Sequence, residues 1–359
     1  MVLASREASE TFIAHEIETL KQRGFPLVVA SLDDLPRTKR SADIPVRHFL
    51  HQRMMEELLA FSPRNALRIW RHRHHISALA KLARETHATR LHAQFAWLAA
   101  DIAGIVAATL KIPWSCSVHA WDVFTRPVPE LRRRLRGADF VIACNQRARD
   151  AVARAVTCHA HLVRHGVRIV NPVATAREPL RVCAIGRLVP KKGFDTLLVA
   201  MSRLCHNEAR CVLVGDGPAR GTLQRLATRL GISERVTFAG RLSHDDAMRE
   251  LARSTLLALP SRVTRDGDRD GFANVLTEAM SHGVPIVTTT AAGADELLAN
   301  DESALLVPPD DAPSLARAID RLLAAPALQK SLAENARRVL ETFLSEEVEI
   351  GKTENLLRG

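Results

Sequence analysis

RVCAIGRLVPKKGFDTLLVAM, residues 181–201, decides the fold. An apolar run from Val182 to Ile185 ends at Gly186-Arg187. A short basic turn carries Lys191, Lys192 and Gly193, and Phe194, Leu197, Leu198 and Met201 then recur at helical spacing. The segment predicts strand, basic turn, helix. Arg187 and Lys192 would stand at the carboxyl end of a strand, where open α/β sheets bind ligands. Read plainly, they are two exposed cations near a helix start. Cations are mildly unfavourable there, so an anionic partner is weakly favoured.

The pattern repeats downstream. CVLVGDGPARGTLQRLATRLGI (211–232) gives a second strand, a tight turn at Gly215 and a helix, although such a turn can be mere punctuation. VTFAGRLSHDDAMRELARSTLLALPS (236–261) reads as strand, helix, strand. In DGFANVLTEAMSHGVPIV (270–287) a polar loop ending at Gly271 feeds a helix. The first-turn N–H groups of such a helix lack helical acceptors and face whatever lies above them. Asp270 and Glu278 could accept hydrogen bonds from hydroxyls. Together these features suit a ligand with both phosphate and sugar. The Asp–Glu pair alone is equally a solvated acidic loop and an ordinary helical glutamate.

With 359 residues, 47% of them hydrophobic, the chain can form two domains with separate cores. Strand–helix alternation in both halves predicts parallel sheets covered by helices. NPVATAREPL (171–180) is the linker candidate. Six separated cysteines without a CxxC pair read as buried, reduced thiols of a cytosolic protein. LHAQFAWLAADIAGIVAATLKI (91–112) comes nearest to a membrane span, but His92, Gln94 and Asp101 interrupt it. A buried helix is expected instead. No leader pattern opens the chain.

Charge is uneven. Residues 1–178 hold 27 Lys and Arg against 16 Asp and Glu, while residues 179–359 hold 23 against 24. The excess concentrates in RNALRIWRHRHHISALAKLAR (64–84), a basic amphipathic stretch. It could lie on an anionic membrane, or pack on its own sheet with a solvated basic face. His72, His74 and His75 fall inside that face and lack ligand partners at metal spacing. Nucleic acid is disfavoured because no binding motif or interleaved aromatics accompany the charge. DGDRD (266–270) stops short of a calcium loop and reads as a flexible acidic loop.

Taken in order, GRLVPKKGFD, LVGDGP, VTFAG, LLALPS, DGFANVLTEAMSHGVPIV and LLVPPDD resemble glycosyltransferase family 4, over about residues 181–340. SETFIAHEIETLKQRGFPLVVASL, LHAQFA, SCSVHAWDVF and ADFVIACNQRARDAV resemble matching segments of bacterial exopolysaccharide and colanic-acid-type members. Any one piece is unspecific; the ordered set is specific. The resemblance implies an α/β protein of GT-B architecture, with two Rossmann-like domains whose parallel sheets face across a cleft. The acceptor-side domain would span residues 1–172, with 345–359 crossing back onto it, and the nucleotide-sugar domain 173–344. In the resembling family a full first strand and a Pro-containing loop precede SETF; here only Met1 to about Ala4 remain for that strand.

The resemblance also implies roles. Arg187 and Lys192 match diphosphate contacts, and fixed cations there would stabilise the leaving group as its charge grows. Gly186 and Gly215 belong to the same donor-binding set. Backbone amides from Gly271 through Phe272, Ala273 and Asn274 to Val275 match those facing phosphate and sugar. Glu278 matches the ribose ligand. Asp270 stands where the family usually has Glu, facing the donor sugar. His119 matches a histidine near that sugar; His92 is a weaker candidate, because a second family histidine is Gln94 here. Retention of anomeric configuration and independence from metal follow by resemblance, with no cofactor beyond the nucleotide-diphosphate sugar as substrate. The acceptor would be a glycan or a lipid-pyrophosphate-linked sugar. The place would be cytoplasmic, peripheral at an anionic inner-membrane surface. Rival readings are a nucleotide-sugar epimerase or hydrolase of the same fold, and a donor-binding pseudoenzyme.

Overall fold

The computed structural model describes residues 2–5, 11–31, 72–169 and 176–359. By internal contact the chain divides into two compact units, Met1–Val163 with Lys352–Gly359, and Arg164–Gly351. Residues 170–175, which include the first half of the expected linker, lie outside the described residues.

The first unit holds a six-stranded parallel sheet in the order β2-β1-β3-β4-β5-β6. Its strands are β1 (Val2–Ser5), β2 (Val28–Ser31), β3 (Leu91–Gln94), β4 (Trp114–Val118), β5 (Phe140–Ala143) and β6 (His159–Leu162). Four residues suffice for β1: Val2 pairs with both Val28 and Leu91, so the short strand sits inside the sheet. The helices are α1 (Thr11–Gln22), α2 (Arg73–Glu85), α3 (Leu98–Leu110), α4 (Ala120–Phe124), α5 (Val128–Arg134) and α6 (Gln146–Ala155). α3 buries Ala99, Ala100, Ile102, Ala103, Val106 and Ala107, as expected of a buried helix. None of the described helices is long and apolar enough to cross a membrane.

α2 carries the described part of the basic stretch; residues 64–71 lie outside the described residues. Its apolar stripe, Ile76, Leu79, Ala80 and Ala83, recurs at helical spacing and is buried in the unit's own core. Burying Ile76 and Leu79 contributes about 1.5–3 kcal/mol each. Lys81 and Arg84 remain exposed on the outer face.

The second unit holds β7 (Arg181–Ile185), β8 (Arg210–Val214), β9 (Val236–Gly240), β10 (Leu256–Leu259), β11 (Ile286–Thr289) and β12 (Leu305–Val307), all parallel. Their order is β12-β11-β10-β7-β8-β9. Helices α7 (Phe194–Met201), α8 (Arg220–Arg229), α9 (His244–Ala252), α10 (Asn274–Ser281), α11 (Ala312–Ala324) and α12 (Pro326–Phe343) cover it. Covered on both faces, the strands are continuous apolar runs: Leu256 to Leu259 are fully buried. The chain runs outward from β7 through β8 to β9, then returns to the other side of β7 at β10. That reversal makes the carboxyl ends of β7 and β10 the topological switch point. Within a last helix, α13 (Glu346–Arg358), the chain passes to the first unit, which takes Lys352–Gly359.

One reading needs correction. Cys116, Cys144, Cys183 and Cys211 are buried, but Cys158 is half-buried and Cys205 is exposed. Cys205 follows the end of α7 on a polar turn, where no apolar neighbours cover it. Burial pushes the Cys183 thiol up to about 12.

Candidate functional site

The switch point of the second unit gathers the charged residues singled out in the sequence. Lys192 follows β7 on the 190–192 turn, and Asp270 comes from the loop after β10. Lys192 Nζ lies 2.7 Å from Asp270 Oδ2, which also accepts from the Ser261 hydroxyl at 2.9 Å. Lys191 Nζ bonds Asp268 at 3.0 Å and lies 3.7 Å from Asp270 Oδ1. Burial alone would raise the Asp270 carboxyl. The ammonium groups of Lys192 and Lys191, with hydrogen bonds from Lys192 and Ser261, outweigh it and hold the group below the ordinary carboxylate range. The acidic loop is also tied down at its start, where the Thr264 N–H and hydroxyl both bond the Asp268 carbonyl at 2.9 Å.

Two glycines permit this convergence. Gly193, at φ +64°, passes so close to the β10 end that a Cβ would lie 1.9 Å from the Pro260 carbonyl oxygen. Gly293, at φ +67°, leaves 1.6 Å between such a Cβ and the Gly271 oxygen. No side chain fits either place, and both backbones need the left-handed region. Together they hold the basic turn and the 270–272 loop against their neighbours.

Behind that loop, α10 begins at Asn274 with Ala273 as N-cap and no capping side chain. Apart from Leu276, whose N–H bonds the Ala273 carbonyl at 2.8 Å, its first-turn N–H groups keep the partial positive end of the helix available. Phe272 is partly buried, and Ala273 and Val275 are buried. Glu278 lies about one turn further on, with its carboxylate 3.8 Å from His244 Nδ1. Burial pushes the Glu278 carboxyl up, and His244 and Lys192 only partly offset it. Arg187 is exposed and makes no ion pair among the described residues. Gly186 and Gly215 shape the ends of their strands: the Gly186 N–H donates to Val214 and the Gly215 N–H to Gly240.

His119 belongs to the first unit, at the carboxyl end of β4, and is buried. Asp122, fully buried, accepts the His119 N–H at 2.7 Å and the Ala96 N–H at 2.6 Å. The His119 ring lies 4.3 Å from the Phe95 ring. Phe95 itself is held at φ +70°, a conformation costing about 1–3 kcal/mol for a bulky residue. His92 sits one strand over with both ring nitrogens engaged, to Ser115 at 2.8 Å and Ser117 at 2.9 Å. Burial, helped by Arg90, lowers it to about 3. His92 is thus a neutral tie between β3 and β4.

Sequence reading brought together Lys192, Asp270 and the start of α10 but missed Ser261, Gly293, His244 and Asp122. Ser261 had a signal, since it follows the strand-end proline of LLALPS. Gly293 had one too, as a glycine shortly after a strand. His244 and Asp122 had none beyond their chemistry.

Residues 169–339 match the family described as Glycosyl transferases group 1. The chain is 29% identical over 243 residues to the alpha-D-kanosaminyltransferase of Streptomyces kanamyceticus, covering 61% of each chain. It is 33% identical over 188 residues to a GDP-mannose-dependent monoacylated alpha-(1-6)-phosphatidylinositol monomannoside mannosyltransferase of Corynebacterium glutamicum, covering 52% of this chain and 48% of that one. The chain thus spans about half to three-fifths of these relatives. Among solved structures, Anabaena Alr3699/HepE in complex with UDP and glucose superposes with a TM-score of 0.75 at 19% identity, over 100% of this chain and 99% of that one. That likeness concerns the fold, which is GT-B. Through residues 169–339, just under half of its length, the chain resembles the group 1 glycosyl transferases.

Proposed function

We propose that the protein is a retaining glycosyltransferase, moving a sugar from a nucleotide-diphosphate sugar to a glycan or lipid-linked acceptor in bacterial cell-surface polysaccharide synthesis. The observation that carries the reading is the cluster of Lys192, Lys191 and Asp270 at the switch point, beside the uncapped start of α10. Breaking the bond between anomeric carbon and diphosphate loads negative charge onto the leaving oxygens. Lys192 and Arg187 would meet that charge, and fixed cations stabilise it more in the transition state than in the ground state. Lys191 would hold Asp270 while Lys192 turns to the diphosphate. Protein cations would serve where other transferases use a divalent ion. Glu278 would hold the ribose and Asp270 the sugar hydroxyls. The relatives act on sugars by their printed names, and HepE was crystallised with UDP and glucose.

The test is a screen of nucleoside diphosphates and nucleotide sugars by thermal shift, followed by product analysis. A ligand that binds only the folded state raises Tm. One donor should raise Tm and release its nucleoside diphosphate in the presence of an acceptor. An altered nucleotide sugar formed without acceptor would instead identify an epimerase. Binding without turnover on any acceptor would identify a pseudoenzyme, and no shift with any nucleotide would overturn the whole reading.

A further inference from the structure

The carboxyl ends of β3 and β4 carry a second cluster, built on two indoles of the first unit. Trp97 caps the start of α3 in the turn after β3, and Trp121 lies in α4 just past His119. Their rings meet edge to face at 5.4 Å. The Arg126 guanidinium lies 3.9 Å from the Trp97 centroid and 4.9 Å from that of Trp121. Arg134 reaches Trp97 too, at 4.1 Å. The two arginines differ in what balances them. Arg134 is buried and bonds Glu130 through two nitrogens, at 2.6 and 3.1 Å, with a third on the Ala96 carbonyl at 3.3 Å. Arg126 makes no hydrogen bond or ion pair among the described residues, and its Nε is buried without a partner. An aromatic face attracts a cation without neutralising it, so Arg126 keeps its charge and its terminal donors for an acceptor from outside. Arg126 is half-buried, and Trp121 is 37% exposed.

We propose that Trp121 and Arg126 form a subsite for an anionic sugar of the acceptor, in which the indole meets the C–H face of a pyranose and the guanidinium pairs with the carboxylate or phosphate that the ring carries. Both residues stand beyond the strand ends, where open parallel sheets bind ligands. An indole is rigid and amphipathic, so it offers a large apolar face at little cost in rotamer entropy. A neutral sugar would use that face and leave the cation unanswered. A simple anion would answer the cation and leave the indole open. A guanidinium forks two parallel bonds onto a carboxylate or phosphate, which a hydroxyl cannot match. Arg134, already paired, backs the ring on which Arg126 lies. The inference rests on the proposed function only in calling this sugar the acceptor; the binding chemistry stands without it.

The experiment is a titration of full-length protein carrying 15N-labelled tryptophan, read at the indole N–H signals near neutral pH. The chain has four tryptophans, and loss of a signal in Trp97→Phe or Trp121→Phe assigns the two that matter. Methyl glucuronide supplies a ring with a carboxylate, glucose 6-phosphate a ring with a phosphate, methyl glucoside the ring alone and inorganic phosphate the anion alone. A charged sugar should shift the Trp121 signal saturably and bind at least about fivefold more tightly than methyl glucoside or inorganic phosphate. The tighter of the two charged sugars identifies the anionic group. Arg126→Gln should bring both down to the neutral level, and Arg126→Lys should keep part of the preference. Trp121→Ala, followed at the Trp97 signal, should weaken all three sugars. No saturable shift at Trp121, equal binding of charged and neutral sugars, or inorganic phosphate acting there as well as glucose 6-phosphate would overturn the proposal. These wild-type titrations decide even if an Arg126 variant does not fold. Once a donor is found, Arg126→Gln should raise the acceptor KM by roughly tenfold and leave the donor KM within about twofold. Active transfer with a Trp121 signal that no sugar moves would sink this proposal alone. A Trp121 that reads charged sugars in a protein without turnover would sink the transferase reading and leave this one standing.

Discussion

The carboxyl ends of the two sheets solve one problem in opposite ways. In the second unit, Lys192, Lys191 and Asp270 are full charges held at 2.7–3.7 Å. In the first, His119 bonds Gln94 at 3.1 Å, and His92 bonds Ser115 and Ser117 at 2.8 and 2.9 Å. Both clusters sit where parallel strands end, and both are largely buried. Burial penalises a lone charge, so charge survives there only as a pair. The second unit accepts that cost and gains cations that can stabilise a leaving diphosphate. The first relies on hydrogen bonds, as at His92, whose burial lowers it to about 3 while both ring nitrogens are engaged. The same scaffold therefore carries either paired charges or hydrogen-bonded polar groups, according to the few residues at the strand ends.

The largest effect should come from breaking the charged side. Lys192→Ala removes one charge-stabilising contact of a kind worth about 3–4 kcal/mol of barrier. Turnover on the identified donor should fall by roughly 10²–10³-fold. Asp270 keeps Lys191 and Ser261, so the melting temperature should hardly change. Near wild-type turnover in a steady-state assay would refute the assignment.

The neutral side should break with acid. His92 is held at about 3 in the folded protein, against an ordinary 6.5. Its folded pKa is depressed, so the unfolded chain binds the proton first. The stability this residue provides is present above pH 6.5 and is lost as pH falls toward 3. The slope is about 1.4 kcal/mol per pH unit over that window. Urea unfolding at several pH values should show this slope in wild type and a shallower one in His92→Gln. Parallel slopes would mean that His92 titrates normally.

The charged cluster was legible because its parts announce themselves locally. GRLVPKKG is a strand end, a basic turn and a helix start in one reading frame, and DGFANV does the same for the second loop. What joins Lys192 to Asp270 is the strand reversal that puts β10 beside β7, and alternating strands and helices already imply such a sheet. The hydrogen-bonded cluster of the first unit was legible only in part: His119, His92 and Gln94 were singled out, and their partners were not. Its bonds span separations from 23 to 337 residues, and Glu16, Gln94 and Thr353 are ordinary on the elements that carry them. Basic amphipathicity left two readings open. α2 has the residue pattern of a membrane-surface helix, but a helix packed on its own sheet needs the same apolar stripe.

A smaller effect sharpens what Asp270 does. The resemblance assigns it to sugar hydroxyls, whereas its observed partners are Lys192 and Ser261. Asp270→Asn keeps a partner for Ser261 and loosens the hold on Lys192. Calorimetry should show unchanged or slightly tighter binding of the nucleoside diphosphate, with turnover lowered about tenfold as the sugar loses its pose. Glu278→Gln should weaken nucleoside diphosphate and whole donor alike, by about 0.5–1.5 kcal/mol, because a neutral amide accepts a weaker hydrogen bond. Asp270→Glu restores the usual family residue and should be tolerated or shift donor preference. Equal weakening of both ligands by Asp270→Asn would show that this carboxylate does not read the sugar.

The smallest effect concerns the surplus charge of the first unit, which lies outside its neutral cluster. Lys81 and Arg84 are exposed on α2, while Ile76 and Leu79 on its other face are 1% and 0% exposed. A helix whose apolar stripe is already buried cannot insert that stripe into a bilayer. Any attraction of α2 to an anionic surface must then be purely electrostatic, about 1 kcal/mol per basic residue and screened over about 8 Å at physiological ionic strength. Lys81→Glu with Arg84→Glu should weaken sedimentation with anionic vesicles, and added salt should weaken wild type to the same level. Stability should stay within about 0.5 kcal/mol, because the Lys81–Glu85 pair at 3.7 Å is solvent-exposed. Salt-resistant binding, or equal binding to neutral vesicles, would mean that apolar surface other than this stripe meets the lipid. The charge on α2 would then be a solvated face and nothing more.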